Sequence, residues 1–454
     1  MTINSSTINK KDISKNIIWI IYGIFLIVLI AQSIASSKWI YLTAIFIPFL
    51  IYLCIKNPFI FPFGAYVFLI PFDSVLSITG NSKGATLTKF LGIMAILILF
   101  LKGIFEEKLK KPNKVVIWWV LMIIYALSSI LWAIEPDKTY SRFSTAAGLL
   151  ILYLIASSYK INENEFNIFK WLIMFGGLVS AIFAIYNYGT GAFYGMRSTV
   201  EFGERVTNPN RFAFSLIIPI SICIGLMLNQ KMRVFKVILI IALSLFILGV
   251  IFTGSRGGLL GVAVVAIIYI LFLKKRVTLL TIFLCIGLLS MSFVPDFFVQ
   301  RWEEAIETGG SGRTTIWATG LAAIEKYWTI GAGLDNFANV YSEFSRFTPF
   351  SLNLYKGSHN LYLGVLIELG IIGLFLLSWV MLKHYRIIKS FLMRYDGNTI
   401  MLKASFWGVL ITSFFGDTMW TKSFWLLWML ILMNRNVAEG EKMRFHPASF
   451  ENNR

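Results

Sequence analysis

His359 is the residue of this sequence best suited to proton transfer. It lies in "SHNLYLGVLIELGIIG" (358–373), where a polar loop meets a long apolar run. Ser358 can cap the helix predicted to follow, which would place His359 in the first turn of that helix. The positive end of the helix dipole disfavours an imidazolium there, so the side chain would be a neutral general base near pH 7. The alternative is an interfacial histidine that only anchors a membrane span.

Two arginines, Arg256 and Arg313, lie in glycine-rich stretches that suit anions. The glycines of "TGSRGG" (253–258) would let a ligand approach the backbone beside Arg256. In "GGSGRTTIW" (309–317), a glycine-rich turn leads into a predicted amphipathic helix that begins at Arg313. Free N–H groups and a guanidinium at such a helix start favour a phosphate. The alternatives are a snorkelling arginine for Arg256 and an ordinary flexible loop for Arg313.

Three further residues, Asn210, Arg211 and Glu368, could support this set. In "NPNRF" (208–212), Asn210 can cap the following span and Arg211 lies at the membrane interface. Glu368 lies in the apolar run, about 13 Å along a helix from the histidine. A carboxylate at that depth is costly, so we expect it to pair with an arginine or to orient a helix. The glycines of "GAGLDNF" (331–337) are a weak phosphate-binding signal, and a turn is the better interpretation.

The sequence predicts neither a metal nor an organic cofactor. Its outer loops carry arginines instead of the paired carboxylates that would hold Mg²⁺ or Mn²⁺. The three cysteines, Cys54, Cys223 and Cys285, lie inside apolar runs. An odd number of cysteines in such positions argues against a disulfide framework and against a metal site.

The elements that must position these side chains are membrane-spanning helices. Of the 454 residues, 57% are hydrophobic and only 14% are charged, whereas about a quarter are charged in a typical soluble protein. Apolar runs long enough to cross a bilayer recur from about residue 17 and residue 39 onwards. We therefore predict an all-α polytopic membrane protein with about 12–14 transmembrane helices.

The distribution of charge predicts how the chain is oriented. The net charge is +18, and basic clusters such as residues 108–114 and 274–276 occupy short loops that the positive-inside rule places in the cytoplasm. His359 then lies on the outer side. No soluble basic face points to nucleic acid. We divide the chain into N-terminal transmembrane helices (1–200), a catalytic membrane region (201–434) with a long periplasmic loop (295–358), and a cytoplasmic tail (435–454).

Taken together and in their order, "TGSRGG", "SGRTTIW", "GAGLDNF" and "SHNLYLGVLIELGIIG" resemble the O-antigen ligase family, which also includes O-antigen polymerases and related glycan ligases. "NPNRF" is similar to a further element of that family. The likeness covers roughly residues 200–380. The first 200 residues are similar only as generic membrane spans.

The resemblance implies a metal-independent, inverting glycosyltransferase of the bacterial inner membrane that needs no cofactor and serves lipopolysaccharide biosynthesis. It would transfer a glycan from undecaprenyl diphosphate to a hydroxyl of a lipid A–core sugar on the periplasmic face, among membrane lipids. The resemblance makes His359 the catalytic base and Arg256 and Arg313 the diphosphate-binding residues. Two alternatives stay open: a polymerase of the same family, whose acceptor is a glycan repeat unit, and a flippase for lipid-linked oligosaccharides.

Overall fold

The protein is a bundle of helices. The computed structural model describes residues 46–76, 86–191, 196–202, 205–272, 276–294, 296–307, 312–345, 356–391 and 397–445. The helices in these ranges are α1 (Ile47–Lys56), α2 (Phe63–Phe68), α3 (Leu87–Phe105), α4 (Val116–Ser128), α5 (Pro136–Ser158), α6 (Glu163–Gly189), α7 (Pro209–Ser215), α8 (Ile217–Asn229), α9 (Arg233–Phe252), α10 (Arg256–Phe272), α11 (Arg276–Met291), α12 (Asp296–Glu307), α13 (Arg313–Tyr327), α14 (Phe337–Phe344), α15 (Leu361–Phe391), α16 (Gly397–Ser413) and α17 (Lys422–Phe445).

The prediction of an all-α polytopic membrane protein is confirmed. Within the described ranges, six helical stretches are long and apolar enough to cross a membrane, and four further apolar helices are shorter. The candidate span near residue 17 lies outside the described residues, and the one near residue 39 is described only in part. The described strands are two short ones, β1 (Glu201–Phe202) and β2 (Arg205–Val206), which pair antiparallel.

Helix α17 lies in the centre of the bundle. Every residue from 424 to 433 is buried, as expected for a helix that is apolar on all its faces. The indole of Trp119 on α4 lies with its ring centroid 4.6 Å from that of Trp425 and 5.8 Å from that of Trp428. These aromatic contacts join the N-terminal helices to the C-terminal ones, so residues from both parts of the chain can contribute to one site.

Helix α15 is broken at Gly370, whose φ of 65° and ψ of −167° are not helical. The carbonyl oxygens that the break exposes accept hydrogen bonds from Ala332 N (2.9 Å), Gly333 N (2.9 Å) and the Tyr125 hydroxyl (3.0 Å). Irregular backbone at membrane depth is tolerated only where protein buries it and satisfies its polar groups. The segment 331–337 meets this requirement by packing against the break.

Two glycines make this contact possible. A Cβ atom on Gly331 would lie 2.2 Å from the Glu368 carbonyl oxygen, and one on Gly370 would lie 2.1 Å from the Thr329 carbonyl oxygen. Gly331 and Gly333 both have positive φ angles, so the segment is the turn that the sequence indicates. Its glycines allow two backbone segments to approach each other. The segment is therefore similar to a phosphate-binding loop only in its glycine content.

We expect Gly370→Ala to lower the thermal unfolding temperature of the detergent-solubilised protein. The φ and ψ of Gly370 are essentially restricted to glycine, and holding another residue there costs on the order of 1–3 kcal/mol. Gly148→Ala on α5 is the matched control, because its Cβ would meet nothing within 4 Å and alanine favours a helix by about 0.5–1 kcal/mol. Equal unfolding temperatures for the two variants would contradict this account of the break.

The long loop predicted to lie outside (295–358) is largely helical where it is described, with α12, α13 and α14 in sequence. Helix α13 is amphipathic: its buried face comprises Ile316, Thr319, Gly320 and Ala323, whereas Leu321 is 60% exposed. This face joins residues of α14 and the first half of α15 in a small core of its own. The loop is therefore an ordered layer that holds α13 against the start of α15.

Candidate active site

His359 lies in a bend between Ser358 and Asn360, before the first residue of α15. The Asn360 side chain caps the helix, because its Oδ1 accepts hydrogen bonds from Tyr362 N (3.0 Å) and Leu363 N (3.1 Å). The prediction that Ser358 caps α15 with His359 in its first turn is therefore wrong. Asparagine caps as well as serine does, so the local sequence does not choose between them. His359 instead has a left-handed φ of 47°.

The bend is tied to helix α13. The indole N–H of Trp317 donates a hydrogen bond of 3.1 Å to the carbonyl oxygen of Ser358. Trp317 lies one helical turn after Arg313, so this bond fixes the start of α13 beside His359. Two motifs that are separated by some forty residues in the sequence thus meet in the fold.

The positive charges of three side chains act on the imidazole of His359. Burial lowers the pKa of His359 most, and the positive charges of Arg313, Lys356 and Arg211 lower it further, to about 4 from an ordinary 6.5. The imidazole is therefore neutral at pH 7 and can accept a proton. Cations brought close together favour an anion between them. Such an arrangement would suit an anion next to a proton acceptor.

Arg313 is the first residue of α13, as the sequence predicts. The helix is preceded by Gly312, which has a left-handed φ of 76°. The guanidinium lies 5.8 Å from the centroid of the Phe415 ring, against which Trp317 also packs at 6.4 Å. An aromatic face restricts the orientation of a guanidinium. A helix start with a restrained arginine suits a phosphate.

Arg256 is half-buried and begins helix α10. It is not among the charges that act on His359. Gly257 and Gly258 do not leave room for a ligand, because a Cβ on either would lie within 2.7 Å of Phe415 or Ala213. The interpretation that these glycines admit a ligand to the backbone is wrong. They allow α10 to pack closely against Phe415 and Ala213.

Asn210 does not cap the span that follows it. Asn208 does so, since its side chain accepts hydrogen bonds from Asn210 N (3.0 Å) and Arg211 N (3.2 Å). Asn210 Oδ1 instead accepts a hydrogen bond of 2.8 Å from Arg197, whose Nε also donates to the Thr253 carbonyl oxygen (2.6 Å). Arg197 therefore links the "NPNRF" and "TGSRGG" segments, which position Arg211 and Arg256. Sequence analysis missed this role.

A cavity of ≈ 330 Å³ opens beside Arg211. Its wall carries Asp73, Ser74, Asn208, Trp420, Thr421 and Ser423. Lys422 also lines it and is paired with Asp73, while the Ser74 and Thr207 hydroxyls lie 2.6 Å apart. The cavity thus offers hydroxyl, carboxylate and indole groups next to the cations around His359.

Glu368 is placed away from the His359 cations. Its Oε1 accepts a hydrogen bond of 3.1 Å from Phe337 N at the start of α14. Beside it, Arg142 of α5 makes a two-pronged ion pair with Asp335, with both N···O distances at 2.8 Å. Asp335 itself has a left-handed φ of 64°. Glu368 therefore orients helix α14. The ion pair between Arg142 and Asp335 holds the segment that leads into the same helix.

The fold adds two side chains that the sequence interpretation did not select. Lys356 lies among the cations around His359, and Asp417 lies within electrostatic reach of Arg211 and Arg142. Asp417 is exposed. An acidic residue between two apolar runs on the outer side was the signal available for it. Among the described residues, no three His, Cys, Asp or Glu side chains are grouped so as to hold a metal ion.

Comparison with known proteins relates one segment of the chain to a known family. No curated protein matches the chain. Residues 241–378, however, match the sequence model of a family described as O-Antigen ligase. The matched segment contains Arg256, Arg313 and His359, whereas Arg211 lies before it. The chain is a multi-pass membrane protein, and the match over residues 241–378 supports its assignment to the O-antigen ligase family and a membrane glycosyltransferase-like activity.

Proposed function

We propose that the protein transfers a glycan from undecaprenyl diphosphate to a hydroxyl of a lipid A–core sugar on the periplasmic face of the bacterial inner membrane. The observation that carries this proposal is the half-buried imidazole of His359, on which the charges of Arg211, Arg313 and Lys356 act and which the Trp317–Ser358 hydrogen bond ties to the start of α13. A diphosphate leaving group needs cations, and an acceptor hydroxyl needs a base. Both needs are met within one group of side chains.

The cations act on the donor. As the bond between the anomeric carbon and the diphosphate oxygen breaks, negative charge grows on that oxygen. Arg313 and Arg211 stabilise this charge, and Arg256 at the start of α10 extends the anion site. A single preorganised hydrogen-bond donor that stabilises such a charge accelerates a reaction by about 10²–10³-fold. The lipid diphosphate is already an activated leaving group, so neither a nucleotide nor a metal ion is required.

His359 acts on the acceptor. The acceptor oxygen attacks the anomeric carbon and loses its proton to the imidazole, which later releases it to water. The cations that lower the pKa of His359 are neutralised when the diphosphate binds, so its basicity rises once the donor is in place. A single displacement of this kind inverts the anomeric configuration.

The cavity beside Arg211 suits the sugar next to the reacting bond. Hydroxyl and carboxylate groups such as Ser74 and Asp73 can exchange hydrogen bonds with a sugar, and the indole of Trp420 offers an apolar face. Because Arg211 belongs both to the wall of this cavity and to the cations around His359, a sugar in the cavity would lie close to the proposed base.

Incubation of the purified protein with a glycan on undecaprenyl diphosphate and with lipid A–core tests the proposal. We expect glycan-bearing lipid A–core on a gel, in undiminished yield in EDTA, because arginines replace a metal as the charge-stabilising groups. Longer lipid-linked glycans formed without lipid A–core would identify a polymerase instead. Activity that EDTA removes and Mg²⁺ restores would contradict the metal-independent mechanism. Movement of the donor across a vesicle membrane without any transfer would point to a flippase.

A further inference from the structure

A second cavity lies at the opposite end of the bundle from His359. It has a volume of ≈ 510 Å³ and is formed where the start of α4 and the last parts of α15 and α17 meet. Lys383 and Arg386 lie on α15 roughly 30 Å of helix beyond its first residue. The side chains that matter here are Lys114, Trp118, Lys383, Arg386, Arg435 and Glu439.

The cavity is strongly cationic. Four of these side chains are positively charged and one is a carboxylate. That carboxylate, Glu439, is already engaged by Arg435 at 2.7 Å and by Lys110 at 3.6 Å. In the part of the chain that the structure describes, no carboxylate lies within 4.0 Å of Lys114, Lys383 or Arg386. Like charges gathered in a cavity favour an anion between them.

Aromatic groups hold two of the cations in place. Lys383 Nζ lies 4.9 Å and the Arg386 guanidinium 5.9 Å from the ring centroid of Trp379. Trp118, in the cavity wall, packs edge-on against the same Trp379 with a centroid distance of 5.7 Å. Tryptophan and long cationic side chains are enriched where a membrane helix meets the headgroup layer. The cavity therefore lies at headgroup depth.

An apolar surface continues from the cavity along the helices. On α4, Ile117, Leu121 and Ile124 are exposed with helical spacing, and on α15 Leu382 and Phe375 are exposed as well. Helix α15 is long and apolar enough to cross a membrane and α4 is a shorter apolar helix, so in a bilayer these side chains would face the hydrocarbon region. A molecule with its anionic group in the cavity would thus have an apolar path for attached chains, which a soluble phosphate does not need.

We propose that this cavity binds the phosphate of an anionic phospholipid, with the acyl chains against α4 and α15. Arg386 offers two parallel N–H donors to the phosphate, and Lys114 and Lys383 add charge. Basic pockets between helices at this depth bind anionic headgroups, and the membrane itself supplies the ligand at high local concentration. The site is distinct from the site around His359 and does not depend on the proposed function.

Native mass spectrometry of the purified full-length protein, with phosphatidylglycerol added, tests the site. We expect retained lipid on the wild-type protein and about 10–30-fold weaker retention for the Lys383→Ala/Arg386→Ala double variant, since each basic residue near the membrane contributes about tenfold or less. The double variant Lys231→Ala/Arg233→Ala is the matched control, because it removes two exposed cations just before and at the start of α9, outside the cavity. It should retain the lipid as the wild type does.

Three results would overturn the proposal. Equal loss in the control would show that general surface charge attracts the lipid. Equal retention of phosphatidylcholine would remove the role of the anion. Equal occupancy by glycerol phosphate, which lacks acyl chains, would assign the cavity to a soluble phosphate. If the double variant does not fold, Lys114→Gln takes its place: it lies before α4 and should weaken phosphatidylglycerol retention alone, and unchanged retention would count against the site.

Discussion

His359→Ala and His359→Asn are both expected to lower the rate of glycan transfer by about 10²–10⁴-fold, which is the usual contribution of a general base. Donor binding should change little, because a neutral imidazole contributes no charge to the diphosphate. The two measurements are transfer of labelled glycan to lipid A–core and equilibrium binding of undecaprenyl diphosphate to each variant.

The asparagine variant distinguishes the loss of the imidazole from an effect on the backbone conformation at residue 359. His359 has a φ of 47°, a conformation that asparagine tolerates better than other residues and that strains alanine. Equal losses for the two variants would assign the effect to the imidazole. If the asparagine variant kept its activity while the alanine variant lost it, His359 would be a residue of the bend and not a base. Loss of donor binding in both would place His359 in the anion site.

The pKa of His359 adds a dependence on pH. Activity requires the neutral imidazole, so it is present above the pKa and lost as the pH falls through it. For kcat/KM, which reports the free enzyme, this fall is expected near pH 4, where burial and the three cations place the pKa. For kcat it should lie at higher pH, because the bound diphosphate offsets those cations. Arg313→Ala removes one of these cations, so the pKa of His359 should rise and kcat/KM should fall at a higher pH than in the wild type.

Arg313→Ala is expected to weaken donor binding and to lower turnover by about 10²–10³-fold. Arg313 lies at a helix start, with its guanidinium against Phe415 and its charge acting on His359. Its loss removes both a positive charge and an oriented guanidinium from the proposed diphosphate site. Arg313→Lys should restore only part of the activity, because lysine keeps the charge but lacks the planar pair of donors. Binding of undecaprenyl diphosphate and single-turnover transfer measure the two effects separately.

Arg233→Ala provides the matched control. Arg233 is an exposed arginine at the start of α9, and α9 ends at Phe252, close to the turn that carries Arg256. Arg233→Ala lowers the net charge by the same amount as Arg313→Ala, but at the end of α9 that lies away from the turn with Arg256. Equal effects on donor binding would show that total charge attracts the donor. A full recovery of activity in Arg313→Lys would show that the fork of N–H donors is not needed.

The sequence by itself determined the class of fold and the placement of the main motifs. Apolar runs long enough for a bilayer can only be helices there, because lipid offers no partner for backbone polar groups. Gly312 before Arg313 and the polar segment before the apolar run at His359 are local signals, and both occur at helix starts in the structure. The order of the motifs indicated the family, to which residues 241–378 belong.

The tertiary structure alone decided which of these residues meet. The charges of Arg211, Arg313 and Lys356 act on His359 from different parts of the chain, and no local pattern specifies such proximity. The glycines of "TGSRGG" and "GAGLDNF" have the composition of ligand loops, yet they accommodate neighbouring protein atoms, which only packing reveals. The choice of Asn360 over Ser358 and of Asn208 over Asn210 as helix caps depends on where each helix begins. That start is set by contacts distant in sequence, because several nearby residues cap equally well.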